Sequence, residues 1–128
     1  MTGLEVEVLG EALDAQLTRR ACVLAAATAG VEDGHVAVAF VDPDEIAALN
    51  AEHRGKPGPT DVLSFPVDGA GEFVVGAREL GDVVICPDHT EDLTEAVVHG
   101  VLHLVGMDHE TDEGEMLALQ AEIMGWIR

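Results

Sequence analysis

The chain opens on strict alternation. Leu4-Glu5-Val6-Glu7-Val8 sets apolar residues against acidic ones, the period of a strand with one buried face. Gly10 breaks the pattern. Over residues 11–29 the period lengthens: Leu13, Leu17, Ala21, Leu24 and Ala25 fall on one helical face, and Gly30 stands where such a helix ends. Val36 to Val41 is short and continuously apolar, which predicts a central strand covered on both faces. Asp42-Pro43-Asp44-Glu45 then supplies an N-cap, a proline at the first helical position and a glutamate at the third. The helix it starts, through Ile46, Leu49 and Asn50, is expected to stop at His53 or Arg54, before Gly55.

Residues 55–60, Gly-Lys-Pro-Gly-Pro-Thr, exclude regular structure. Val62 to Phe65 reads as a strand stopped by Pro66, and the surrounding prolines suit a sheet edge. Residues 67–80 read as a loop, with room for a short extra strand at 73–76. Val83 to Cys86 is a fourth strand, ended by Pro87. A helix follows, starting between Thr90 and Asp92. Leu93, Val97, Val101 and Leu104 make one apolar row on it, and Val98, Leu102 and Val105 another, so it should be the most buried helix. A last helix is expected from Asp112, with Met116, Leu119, Ile123 and Trp126 inward. This order predicts an α+β fold of α/β-sandwich type, a mixed sheet of roughly four strands packed with helices. Residues 1–128 form one domain by size, and the first strand–helix–strand unit should cross over right-handed if its strands are parallel.

Charge changes the picture. The 128 residues carry 25 acidic and six basic side chains, a net charge of −19, with His counted neutral. Such a surface repels nucleic acid in general, so a polyanionic substrate needs a local positive site. No run of apolar residues is long enough to span a membrane, no stretch calls for a dinucleotide cofactor, and the first residues lack a signal-peptide pattern. Cys22 and Cys86 lie in apolar segments and make no disulfide framework. A cytoplasmic protein with buried, reduced thiols is the expectation.

The buried helix carries the chemistry. Its sequence runs His99-Gly100-Val101-Leu102-His103-Leu104-Val105-Gly106-Met107-Asp108-His109. His99 and His103, four apart, share a helical face. Gly106 can turn the chain through a left-handed conformation, so that His109 supplies a third imidazole. Three imidazoles with an open fourth position describe a catalytic zinc centre, where bound water acquires a pKa of roughly 7. The spacing matches the H-E-x-x-H-x-x-G-x-x-H pattern of metzincin proteases except that Gly100 replaces the glutamate base. Asp108 and Glu110 are candidate bases or partners of a histidine, or simply solvated carboxylates. His35, His53 and His89 read as exposed side chains.

This stretch resembles the H-G-x-L-H-L-x-G-x-D-H signature of the YbeY family of metal-dependent ribosomal RNA maturation endoribonucleases. Leu49-Asn50 through Arg54-Gly55-Lys56 to Pro59-Thr60-Asp61-Val62-Leu63-Ser64-Phe65-Pro66 is similar to the family's L-N-x-x-x-R-G-K-x-x-P-T-D-V-L-S-F-P segment. Gly81-Asp82-Val83-Val84-Ile85-Cys86-Pro87 is similar to its G-D-I-x-I-C-P strand. The resemblance implies one zinc ion on His99, His103 and His109, with these residues and Arg54 as the catalytic set. It also implies cleavage of single-stranded RNA, maturation of the 3′ end of small-subunit ribosomal RNA, and ribosome quality control. Its partners would be ribosomal RNA and the small subunit or its proteins. A guanidinium at Arg54 suits bidentate phosphate binding; Lys56 is either a further phosphate contact or a solvated loop residue, and Ser64 and Asp61 suit structural hydrogen bonds. The segment between Pro87 and His99 is shorter than the family's usual one. Two other readings stay open: a zinc hydrolase of peptides or small phosphoesters, and a non-catalytic ribosome-assembly factor held together by its metal.

Overall fold

The computed structural model describes residues 3–67, 79–108 and 111–127. The elements run β1 (Leu4–Leu9), α1 (Ala15–Ala27), β2 (Gly34–Phe40), α2 (Pro43–Arg54), β3 (Val62–Pro66), β4 (Glu79–Ile85), a 3-10 turn at Pro87–His89, α3 (Leu93–Leu104) and α4 (Glu115–Ile127). The sheet order is β1-β2-β4-β3. β1 and β4 both lie parallel to β2, while β3 runs antiparallel to β4 at the edge. The expected α+β fold with a mixed sheet is the one formed.

The two faces of the sheet are covered unequally. Val36 and Val38 of β2 and Val83 and Ile85 of β4 join one large core with α1, α3 and α4. On the other face Leu63, Val84 and Cys86 meet Ile46 of α2 in a cluster of four buried residues. α3 lies deepest: Val97, Val98, Val101 and Leu102 are fully inaccessible. Burial of this kind contributes about 1.5–3 kcal/mol per large aliphatic side chain.

Several boundaries differ from the periodicity, each for a local reason. α1 spans Ala15–Ala27 rather than 11–29, because the Asp14 carboxylate accepts from the Leu17 amide at 3.0 Å and caps the helix there. β2 runs from Gly34 to Phe40, although the Val41 amide still reaches the Ile85 carbonyl at 2.9 Å. β4 begins at Glu79, not Val83, so Glu79 and Leu80 belong to the strand and not to a loop. Gly81 makes this possible: its φ is +132°, and a Cβ there would collide with the Phe65 carbonyl of β3. α4 begins at Glu115, because Asp112 is spent capping, its carboxylate accepting from the Gly114 and Met116 amides at 2.8 and 2.9 Å. Trp126 is 47% exposed instead of inward; Met116, Ile123 and Met124 fill the core from this helix. The extra strand expected at 73–76 lies outside the described residues.

Both cysteines are buried free thiols, and desolvation pushes Cys22 up to about 12, which makes it inert. His35 is half-buried and ion-paired: its Nδ1 meets Glu79 at 2.7 Å and its Nε2 meets Glu7 at 3.2 Å. Among the described residues, no helix is long and apolar enough to cross a membrane.

Candidate metal and phosphate site

α3 begins where expected. The Asp92 carboxylate accepts from the Glu95 amide at 3.1 Å, and Gly106 ends the segment at φ +102°. The apolar rows bury most of the helix and leave His99 and His103 half-buried on its remaining side. Gly100 explains itself here. A Cβ at that position would run into the Cγ atoms of Val83 on β4. Position 100 therefore faces the sheet, and no side chain there could serve as a base beside the histidines.

The two imidazoles converge. Their Nε2 atoms come within 3.2 Å, with ring centroids 4.7 Å apart. Each ring is held from behind. His99 Nδ1–H donates to Gln120 Oε1 of α4 at 2.8 Å, and His103 Nδ1–H donates to the Met107 carbonyl at 2.9 Å. With a proton on Nδ1 facing each acceptor, the Nε2 atoms are left as electron-pair donors, and two such donors aimed at one point suit a shared cation. An acceptor behind each ring is the usual arrangement around metal-binding histidines, fixing tautomer and orientation. Two such imidazoles are compatible with part of a transition-metal site, zinc included. The third expected nitrogen, His109, and Glu110 lie outside the described residues. Among the described residues no group of three His, Cys, Asp or Glu side chains is placed to hold a metal.

A cleft of about 930 Å³ opens over these rings. Its walls are the C-terminal end of α2, strand β3 with the residues before it, and the end of α3 through Asp108. Arg54 lines it together with His99 and His103. Asp42 and Pro43 start α2, and Gly55, at φ +67°, stops it one residue after Arg54. Arg54 is exposed on the last turn of the helix and forms no ion pair among the described residues. Asn50 Nδ2–H donates to the Gly58 carbonyl at 3.0 Å and ties down the loop that follows. Lys56 is exposed and does not line the cleft. Ser64 Oγ–H donates to the Gly100 carbonyl at 3.1 Å, a structural bond between β3 and α3. Asp61 accepts from the Val62 amide at 2.8 Å.

Two features escaped the sequence. Gln120 is one; a polar residue between Met116 and Ile123 on an otherwise inward row was its signal. The other is a second hollow of about 360 Å³ that shares Asp61, Val62 and His99 with the cleft. Glu91, Asp92 and Glu95 line it with no Arg or Lys, whereas in the cleft Arg54 stands against Asp61 and Asp108, so the hollow is the more repulsive of the two to phosphate.

A family model described as Endoribonuclease YbeY matches residues 7–128. The endoribonuclease YbeY of Rubrobacter xylanophilus is 48% identical over 99 residues, 74% of this chain and 69% of its own. That of Parvibaculum lavamentivorans is 39% identical, covering 97% of this chain and 82% of its own. The solution structure of TM1509 from Thermotoga maritima superposes with a TM-score of 0.57 at 28% identity, over 95% of this chain and 88% of that one. By the extent of these matches, the chain belongs to the Endoribonuclease YbeY family.

Proposed function

We propose that the chain is a zinc-dependent, single-strand-specific endoribonuclease that matures the 3′ end of 16S ribosomal RNA in the cytoplasm. Family membership supports hydrolysis of RNA phosphodiester bonds. The observation that carries the rest is the convergence of His99 and His103 Nε2 in a cleft that also holds Arg54. His99 and His103, joined by His109, would hold the ion. Zinc bound there supplies Lewis acidity and a water acidified to a pKa of roughly 7.

The chain's own groups do the remaining work. Arg54 binds the phosphodiester through its paired N–H groups and stabilises charge that builds on the phosphate oxygens. Gln120 and the Met107 carbonyl keep the two rings in one tautomer and one orientation. Glu91, Asp92 and Glu95 in the second hollow would disfavour phosphate there and leave the Arg54 cleft as the better path for the backbone. Peptide hydrolysis is disfavoured, since Gly100 packs on Val83 and leaves no base at that position.

The test pairs two variants on purified, zinc-loaded protein with single-stranded and duplex RNA. His103→Ala loses bound zinc by elemental analysis and loses cleavage. Arg54→Ala keeps its zinc and lowers kcat by roughly 100- to 1000-fold, the range for removal of a charge-stabilising donor. Full zinc content and full cleavage in His103→Ala would end the metal reading. Small-subunit binding by Arg54→Ala, without cleavage by either form, would favour the assembly-factor reading.

A further inference from the structure

Aromatic side chains are scarce in this chain: three Phe, one Trp and no Tyr. One of them stands in the cleft. Phe65 of β3 lines it, and His53 of α2 lies against Phe65 with ring centroids 4.8 Å apart at 61°. His53 is exposed on the last helical turn, directly before Arg54. Phe65 is half-buried, anchored against the small core of Ile46, Leu63, Val84 and Cys86. A π surface braced from behind thus lines the same cleft as Arg54 and the converging histidines.

A nucleotide offers the complement: a flat base and, a short distance away, a phosphate. Single-stranded RNA is commonly held by bases splayed onto aromatic side chains while cationic groups track the backbone. With a net charge of −19, little backbone attraction is available beyond the cleft itself. Base stacking is neutral and unaffected by that repulsion, and it requires an unpaired base. We infer that His53 and Phe65 form a base-stacking subsite beside Arg54, which selects an unpaired nucleotide next to the phosphate to be cut. The inference rests on the ribonuclease reading for its substrate.

Two measurements on the full chain test it. In the first, single-stranded RNA carrying one 2-aminopurine at successive positions is titrated with metal-free protein. Stacking quenches the fluorophore at one position, and His53→Ala abolishes that quenching. Absence of quenching at every position, or quenching equal in His53→Ala, overturns the subsite. In the second, zinc-loaded enzyme is assayed on RNA with a single abasic ribose placed along the strand. The abasic substitution at the stacked position raises KM roughly tenfold, the scale of one lost base stack, with kcat little changed. His53→Ala produces the same rise on intact RNA and no further rise on the abasic strand. Equal KM for all these pairs, with wild-type enzyme cleaving normally, also overturns it. Position-specific quenching in a protein that fails to cleave supports the subsite and counts against the ribonuclease reading instead. Phe65→Leu repeats the measurement from the other ring, with its unfolding temperature checked because Phe65 packs on the core; His53 is exposed and carries the test if that variant is unstable.

Discussion

The sheet has a heavily covered face and a lightly covered one, and the candidate site takes one component from each. His99 and His103 come from α3, wedged among α1, α4 and the strands. Arg54 and His53 come from the end of α2, which holds its own face with a cluster of four buried residues. Tolerances follow from this division. Ring nitrogens that share one ion must be placed to within fractions of an ångström, and the densely packed side supplies that. A guanidinium and an aromatic rim that meet a flexible strand need less, and a single helix suffices.

The division can be broken from either side. The largest effect is expected at Ile46, the fully buried side chain by which α2 packs on the sheet. Ile46→Ala should cost about 2–5 kcal/mol in denaturant unfolding and raise KM for RNA, while folded protein keeps its zinc affinity. A parallel loss of zinc affinity would show that the two faces are not separable. On the other side, Gly100→Ala forces a methyl into Val83 and should cost about 1–3 kcal/mol. Here zinc affinity should fall together with stability, because α3 must shift away from β4.

Gln120→Ala sharpens the contrast, since it leaves the core intact and frees one ring. Zinc affinity by competition with a chelator should drop roughly 10- to 100-fold with little change in unfolding temperature. The smallest effect belongs to His35, which does not line the cleft. Desolvation alone would lower its pKa, but the hydrogen bonds and charges of Glu79 and Glu7 outweigh that and raise it. A folded-state pKa raised above the unfolded one gives stability that is fully present below the unfolded value and lost as pH rises through the folded one. Unfolding free energy should therefore decline slightly from just below pH 6.5 upward, and His35→Gln should flatten that slope.

Local chemistry explains what the sequence made legible. Asp42-Pro43 and Asp92 announce helix starts through side chains that bond amides within one turn, and both act there. Pro66 marks an edge strand for want of an N–H, and β3 is one. The i, i+4 spacing of His99 and His103 put both rings on one helical face, where their Nε2 atoms meet; His109, which Gly106 was expected to bring round, lies outside the described residues. The missed features depend on partners distant in the chain. Glu79 and Leu80 join β4 because Gly81 can pass under Phe65, from another strand. Gln120 matters because α4 lies across His99, and Trp126 turns outward because Met116, Ile123 and Met124 already fill that helix's inward side. The acidic hollow arises where the start of α3 meets Asp61, a juxtaposition no periodicity encodes.

The bond from Ser64 Oγ–H to the Gly100 carbonyl has a mechanical meaning. It fastens one jaw of the crevice to the other, strand to helix, only three positions before His103 along the chain. Spreading the jaws would break it at a net expense of about 0.5–1.5 kcal/mol, on top of the packing around it. The bond therefore weights the opening toward the width seen here by about two- to tenfold, a modest preset of the distance between the two jaws.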